Sequence, residues 1–287
     1  MKVLATRRYP GPAFEELRDV EVGELRPRDD VEALVVANDP IDPAHFPSLR
    51  LVANFGVGYD RLGVEELHAR GIAVTNTPGV LDAATADLTW ALILAARRRV
   101  VEGDQRVRAG AWSGSWADGF LAEELTRSTL GIVGLGRIGS AVARRAEGFE
   151  LRVLSTRRSG GTPLDDLLQE SDIVTIHAPL TPETHGLIDA RRLSLLRDGA
   201  CFVNTARGEI VDEDALVAEL VSGRIRAGLD VFAHEPHVPE SLMSLPNVVL
   251  TPHIGSGTRQ TREAMTRIVV DNIQAFERGD ELLTPVR

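Results

Sequence analysis

The sequence predicts an α/β protein made of two doubly wound parallel-sheet domains. Three observations predict it. Short apolar strand-like runs alternate with helix-like runs along most of the chain. The alternation comes in two series, separated by one long helix-like stretch. A glycine-rich turn from strand to helix opens the second series. Strand, helix and strand at this spacing imply βαβ units and parallel sheets.

The first series places strands at 2-KVLAT-6, 33-ALVVA-37, 51-LVANF-55 and 72-IAVTN-76. Helices are expected at 13-AFEELRDV-20 and 64-VEELHAR-70. Residues 78–110 read as one long, mostly helical stretch, with Gly110 as its stop. The second series has strands at 129-TLGIVGL-135, 151-LRVLS-155, 172-DIVTIHAPL-180, 200-ACFVNTA-206, 226-RAGLDVF-232 and 247-NVVLTPH-253. The tail, residues 259–279, reads as one amphipathic helix ending at Gly279. No repeat at a solenoid period and no low-complexity segment interrupts this order.

Composition narrows the function classes. A chain of 287 residues holds two domains with real cores, and 43% hydrophobic with 26% charged residues is ordinary for a soluble protein. The net charge of −10 argues against nonspecific binding to nucleic acid or an anionic membrane, while leaving room for a local basic patch. One cysteine, Cys201, allows no intrachain disulfide and no cysteine zinc cluster. The start lacks the apolar core of a signal peptide, and the longest apolar run, 91-ALILAA-96, is too short for a bilayer. A cytoplasmic location follows as the expectation. Lys2 is the sole lysine, and the abundance of arginine reads as genomic or surface bias.

The turn 131-GIVGLGRIG-139 carries G-x-G-x-x-G as Gly134, Gly136 and Gly139. Alone this pattern is weak. Here an apolar strand precedes it and 140-SAVARRAEGF-149 continues as a helix. Gly134 allows a tight turn, Gly136 lets a pyrophosphate approach the backbone, and Gly139 lets helix and strand pack closely. The helix N-terminus, with Arg137 and Ile138, favours an anion. A dinucleotide site is the reading.

At the end of the next strand an NAD site usually places an acidic residue for the ribose 2′-hydroxyl. This chain has Thr156, Arg157 and Arg158 there. A carboxylate repels a 2′-phosphate, whereas arginine grips one through paired hydrogen bonds. The expectation is NADP(H) over NAD(H); two arginines that merely face solvent are the other reading.

Ligands of doubly wound sheets bind outside the carboxyl ends of the strands. Three residues fall at such ends: Arg207 before Gly208, Glu235 before Pro236, and His253 after Pro252. Each alone also fits an ordinary loop. Together, beside a nicotinamide, they make chemical sense. A cation holds a substrate carboxylate, a histidine moves the hydroxyl proton, and a carboxylate orients the imidazole and favours its charged form.

These motifs closely resemble the D-isomer-specific 2-hydroxyacid dehydrogenase family. The resemblance runs through 56-GVGYD-60, residues 75–99, 130-LGIVGLGRIG-139, 177-HAPLTPETHGLI-188, 203-VNTARGEIVDEDAL-216, 228-GLDVFAHEP-236 and 248-VVLTPHIGSGT-258. It implies that Arg207 binds the substrate carboxylate, that His253 is the acid/base, and that Glu235 orients His253. It further implies substrate contacts from the backbone at Val57 and Gly58, and cofactor contacts from Thr85 and from Asp230 near the nicotinamide amide. Pro179 and Thr184 are expected on the adenosine side. Thr205, Ala206, His253 and Gly255 complete the expected cofactor set. His177 matches a position that is not the catalytic base. The proline between His234 and His237 breaks helical metal spacing, so no metal is expected.

The resemblance also implies Rossmann/flavodoxin-like domains with a cleft between them. Residues 1–79 with 258–287 would form the substrate domain and 80–257 the dinucleotide domain. A homodimer is expected through the helix at 81–99, where 90-WALILAA-96 suits a contact. The expected partner is a small 2-oxo or 2-hydroxy acid, in a glyoxylate/hydroxypyruvate-type reductase. A phosphoglycerate-type dehydrogenase, with Arg7, Arg8 or Arg61 as extra cations, and a non-catalytic dinucleotide sensor are the alternatives. Two segments depart from the family pattern. Residues 160–168 read as lacking a strand turn usual in the family, and 60-DRLG-63 departs from the more usual Asp-Asn-Ile/Val-Asp.

Overall fold

The computed structural model describes residues 1–114 and 120–287. The chain divides into two compact units, Met1–Asp82 with Ser256–Arg287 (unit 1) and Ala83–Gly255 (unit 2).

Unit 1 contains β1 (Val3–Ala5), β2 (Val20–Val22), β3 (Ala33–Val36), β4 (Leu51–Asn54), α1 (Val64–Ala69) and β5 (Ala73–Thr75). The sheet order is β2-β1-β3-β4-β5, parallel throughout. β1, β3 and β4 are buried along their whole length, which is why they read as unbroken apolar runs instead of alternating ones. The expected helix over 13–20 is instead a 3-10 turn, Pro12–Glu16, followed by edge strand β2. Asp19, at φ 50°, turns the chain out of the helical region, and Val20 then pairs with Val3.

Unit 2 contains α2 (Asp82–Arg97, whose first residue belongs to unit 1), α3 (Val100–Arg108), β6 (Thr129–Val133), α4 (Arg137–Ala146), β7 (Arg152–Arg157), β8 (Gly160–Gly161), α5 (Leu164–Glu170) and β9 (Ile173–Ile176). It continues with α6 (Ala190–Ser194), β10 (Cys201–Asn204), α7 (Glu213–Val221), β11 (Arg226–Leu229), α8 (Glu240–Met243) and β12 (Val248–Leu250). Then α9 (Arg259–Arg278) returns to unit 1. The strand order is β12-β11-β10-β9-β6-β7-β8, parallel except that β8 pairs antiparallel with β7. The order reverses between β6 and β9, so their carboxyl ends form the switch point.

The expected single helix over 78–110 is two helices. Arg99 adopts a left-handed conformation at φ 52° and pairs with Glu102, while Arg97 turns inward to the carbonyls of Glu124 and Asp172. Trp90, Leu92, Ile93 and Ala96 pack inside unit 2 with Ile132, Val142 and Val203, so little of the 90–96 stretch stays outside this core. The stretch 160–168, read as missing a strand turn, holds β8, a two-residue strand of glycines at φ 99° and 96°, and the start of α5. β9 and β12 stop at Ile176 and Leu250, earlier than their apolar runs suggest, and release His177 and His253 into loops. Among the described residues no helix is long and apolar enough to cross a membrane.

Candidate active site

The glycine turn lies at the unit 2 switch point. Gly134 has φ 98°, and a Cβ there would stand 2.7 Å from the Ala178 nitrogen on the loop after β9. A Cβ on Gly139 would stand 2.3 Å from the Gly134 carbonyl oxygen, so helix and turn touch only because both are glycine. Beside Gly136 the space is open, with no heavy atom within 4 Å of a built Cβ. No side chain caps α4, and its first turn has no acidic residue. An open glycine at an uncapped helix start fits a dinucleotide pyrophosphate.

Thr156 faces this turn. Its hydroxyl accepts from Gly134 N–H at 3.0 Å, and its carbonyl accepts from Leu135 N–H at 3.0 Å. Arg157 and Arg158 follow, both exposed. Pro179 is exposed, and its carbonyl accepts from the Thr184 hydroxyl at 2.6 Å, which closes the turn after β9.

The three strand-end residues come together. Glu235 Oε2 lies 2.7 Å from His253 Nδ1, and Glu235 Oε1 accepts from Phe232 N–H at 3.1 Å. Burial presses the Glu235 carboxyl upward, but the His253 hydrogen bond and charge, the Phe232 N–H and the Arg207 charge outweigh it and hold it below its ordinary value. With Nδ1 engaged, His253 Nε2 has no partner among the described residues, and the side chain stays 47% exposed. That leaves one ring nitrogen able to exchange a proton with a ligand. Arg207 follows β10 and donates from Nη1 to the Ala206 carbonyl at 2.7 Å. Gly208 packs directly beneath the Glu235 loop; a Cβ there would lie 2.0 Å from the Phe232 carbonyl carbon.

His177 is placed differently. Its Nε2 meets the Thr175 hydroxyl at 3.0 Å, and burial pushes its pKa down to about 3, so it stays neutral at physiological pH. Among the described residues no group of His, Cys, Asp or Glu could hold a metal ion.

Residues 90–255 match the family model of the D-isomer specific 2-hydroxyacid dehydrogenase NAD binding domain. The chain is 48% identical to a glyoxylate reductase of Pyrococcus furiosus, covering 97% of this chain and 93% of the relative. The chain belongs to the D-isomer specific 2-hydroxyacid dehydrogenase family. Similar solved structures include a Thermus thermophilus protein at 44% identity, covering all of both chains with a TM-score of 0.94. An NADPH-dependent glyoxylate/hydroxypyruvate reductase of Sinorhizobium meliloti, solved with NADP and malonate, is 37% identical over 99% of this chain and 96% of that one, with a TM-score of 0.89.

In this family member Asp230 carries the histidine loop. Oδ1 accepts from the Thr251 hydroxyl at 2.6 Å and Ile254 N–H at 2.8 Å, and Oδ2 accepts from Gly255 N–H at 2.8 Å. The Asp230 carbonyl also accepts from His253 N–H at 2.9 Å. Burial raises the Asp230 carboxyl above its ordinary value, although these donors and the His253 charge pull the other way. Thr85, Asp230 and Gly255 are mutually close, with Thr85 and Asp230 both 3.4 Å from a Cβ built on Gly255. The Thr205 hydroxyl reaches Thr89 at 3.1 Å.

Sequence reasoning missed two asparagines that end apolar strands. Asn204, 2% exposed, accepts from Ala206 N–H and donates to the Arg207 carbonyl, fixing the arginine's backbone. Asn54 donates to the Gly56 and Gly58 carbonyls and accepts from Asn38 N–H. Asn76 donates to the Val57 carbonyl at 3.0 Å. With both carbonyls held, the Val57 and Gly58 N–H groups meet no acceptor among the described residues. The signal available was a polar residue closing an apolar run, in 51-LVAN-54 and 201-CFVN-204.

Proposed function

We propose that this protein is a reductase of small 2-oxo acids of the glyoxylate/hydroxypyruvate type, with His253 as its proton donor. The observation that carries this reading is the 2.7 Å His253–Glu235 pair beside Arg207. A bound nicotinamide dinucleotide supplies the hydride. Arg207 holds the substrate carboxylate through its planar fork. Glu235, kept ionised, fixes the ring with Nδ1–H toward itself and stabilises the imidazolium, so that Nε2–H is the proton delivered to the 2-oxo oxygen. In the reverse direction neutral Nε2 takes the hydroxyl proton. In unit 1 the Val57 and Gly58 N–H groups are the donors assigned to an acid's carboxylate. Asp230 keeps the 251–255 loop in register, which sets where the His253 ring starts.

NADP(H) is the preferred cofactor in this reading. Thr156 stands where a carboxylate would oppose a 2′-phosphate, and two exposed arginines follow it. The Sinorhizobium meliloti relative is NADPH-dependent. Unit 1 is assigned to the substrate and unit 2 to the dinucleotide. The working form is proposed to be a homodimer, for which exposed Val100, Val101 and Val107 on α3 offer apolar surface. The decisive experiment is a reductase assay with glyoxylate, hydroxypyruvate and pyruvate, each with NADH and NADPH. Wild-type turnover in His253→Gln would remove the proton role. A clear NADH preference would remove the reading of Thr156, Arg157 and Arg158.

A further inference from the structure

The unit 1 sheet has its own switch point. Its order β2-β1-β3-β4-β5 reverses between β1 and β3, and ligands of open parallel sheets bind outside the carboxyl ends at such a reversal. Arg7 follows β1, Asp39 follows β3 and Phe55 follows β4. The loop with the unpartnered Val57 and Gly58 N–H groups starts at that same edge.

Arg262 joins this edge from the first turn of α9. Its guanidinium carbon lies 5.8 Å from the centre of the Phe55 ring, and Nε donates to the Ser256 carbonyl at 3.2 Å. Nη1 and Nη2 meet no acceptor among the described residues, although Arg262 is half-buried. Arg28, Arg99, Arg192 and Arg224 are half-buried too, and each holds a carboxylate within 3.1 Å. Buried Arg97 holds no carboxylate but spends Nη1 and Nη2 on the Asp172 and Glu124 carbonyls, whereas both Nη atoms of Arg262 are left over.

Three further facts make that arrangement costly unless an anion arrives. The first turn of α9 has no acidic residue, so Arg262 sits at the positive end of a 20-residue helix dipole. Arg7 lies close enough for its charge, after burial, to depress the Arg262 guanidinium. Asp39, the carboxylate that pairs with Arg7, is already engaged by the Thr6 hydroxyl, Ala37 N–H and Arg7.

We propose that Arg262, with Arg7, forms a subsite for a second anionic group on the substrate, a carboxylate or a phosphate at the end remote from the 2-oxo acid. This rests on the reductase reading for the acid end, which the Val57 and Gly58 N–H groups receive on the same sheet edge. The planar guanidinium, beside Phe55 and tied through Nε to Ser256, leaves both Nη atoms for a pair of anion oxygens. The enzyme then accepts 2-oxo acids with two negative ends besides the one-ended glyoxylate.

The test compares kcat/KM with NADPH for glyoxylate, oxaloacetate and phosphohydroxypyruvate in wild type, Arg262→Gln, Arg262→Lys and Arg7→Gln. The expected result is a dianion-to-glyoxylate ratio that falls at least tenfold in Arg262→Gln, falls less in Arg7→Gln and recovers in part in Arg262→Lys. The larger loss between oxaloacetate and phosphohydroxypyruvate tells carboxylate from phosphate. An unchanged ratio, or a wild type that reduces glyoxylate and neither dianion, overturns the subsite and leaves the reductase reading standing. If no acid is reduced, calorimetric titration with malonate and with inorganic phosphate decides instead. Binding by wild type that is lost in a folded Arg262→Gln supports the subsite, and equal or absent binding overturns it.

Discussion

Replacing Asp230 by asparagine changes one atom in a residue that is fully buried. The carboxylate meets only donors, the Thr251 hydroxyl and Ile254 N–H at Oδ1 and Gly255 N–H at Oδ2. An amide must put its NH2 against one of these sets. The less damaging choice places it at the Oδ2 position, facing Gly255 N–H, because Oδ1 serves two donors. One hydrogen bond to a charged acceptor, about 1.5–3 kcal/mol, is then lost, and a buried donor is left unmade at about 1–3 kcal/mol. Burying a neutral amide in place of a carboxylate returns part of this, since burial opposes the charged form here. The net is a loss of about 3 kcal/mol. For a domain of this size that lowers Tm by roughly 6–12 °C. The same change loosens the loop whose His253 N–H is tied to the Asp230 carbonyl. Calorimetric scanning with glyoxylate kinetics reads both effects. A Tm within about 2 °C of wild type, together with unchanged kcat, would refute the view that Asp230 holds the histidine loop.

Glu235→Gln removes a charge-assisted bond to His253, so kcat/KM should fall about 10- to 100-fold, matching roughly 1.5–3 kcal/mol. The Glu235 carboxyl lies below its ordinary value of 4.5 in the folded protein, so its stabilisation is complete above that value and is lost as pH falls through the lower folded value. The stability difference between wild type and Glu235→Gln should therefore be complete above about pH 4.5 and shrink as pH falls from there through the lower folded value. Cys201 is fully buried and its thiol is pushed up to about 12, so a thiol-reactive dye should label the protein only after denaturant unfolds it; fast native labelling would contradict the packing of β10. Gly208→Ala should cost more than about 3 kcal/mol, because the new Cβ meets backbone at 2.0–2.4 Å and not a flexible side chain; a denaturation midpoint near wild type would show that the Arg207 and Glu235 loops are not in such close contact.

Much of this architecture could be read from the chain because parallel strands are buried on both faces. β3, β4, β9 and β10 are buried from end to end and are apolar except at Asn54, Thr175 and Asn204, as strands of a sheet covered on both faces are. The glycine turn was legible because each glycine answers a local steric demand, as the contacts at Gly134 and Gly139 show. β2 was not legible, since Val-Glu-Val at an exposed edge resembles a loop and is a strand only through its pairing with β1. The break at Arg99 was hidden for a similar reason: Arg97 leaves the helix pattern to bond carbonyls that lie 27 and 75 residues away. The clamps made by Asn54, Asn204 and Asp230 depend on partners that the folded strand ends bring within reach. No spacing rule in the sequence announces them.

The chain leaves unit 1 after Asp82 and returns only at Ser256. Unit 1 therefore lacks α9 until unit 2 has been made, and α9 ties it together through Arg267 to Glu16, Arg262 to Phe55 and Asn272 to Thr284. All seven strands of the unit 2 sheet have been synthesised once Leu250 is made. On the ribosome the interior segment can finish first, while the segment made before it waits, open, for the one made after it. A chain truncated between residues 255 and 258 would carry the whole of unit 2 and a unit 1 sheet that lacks α9.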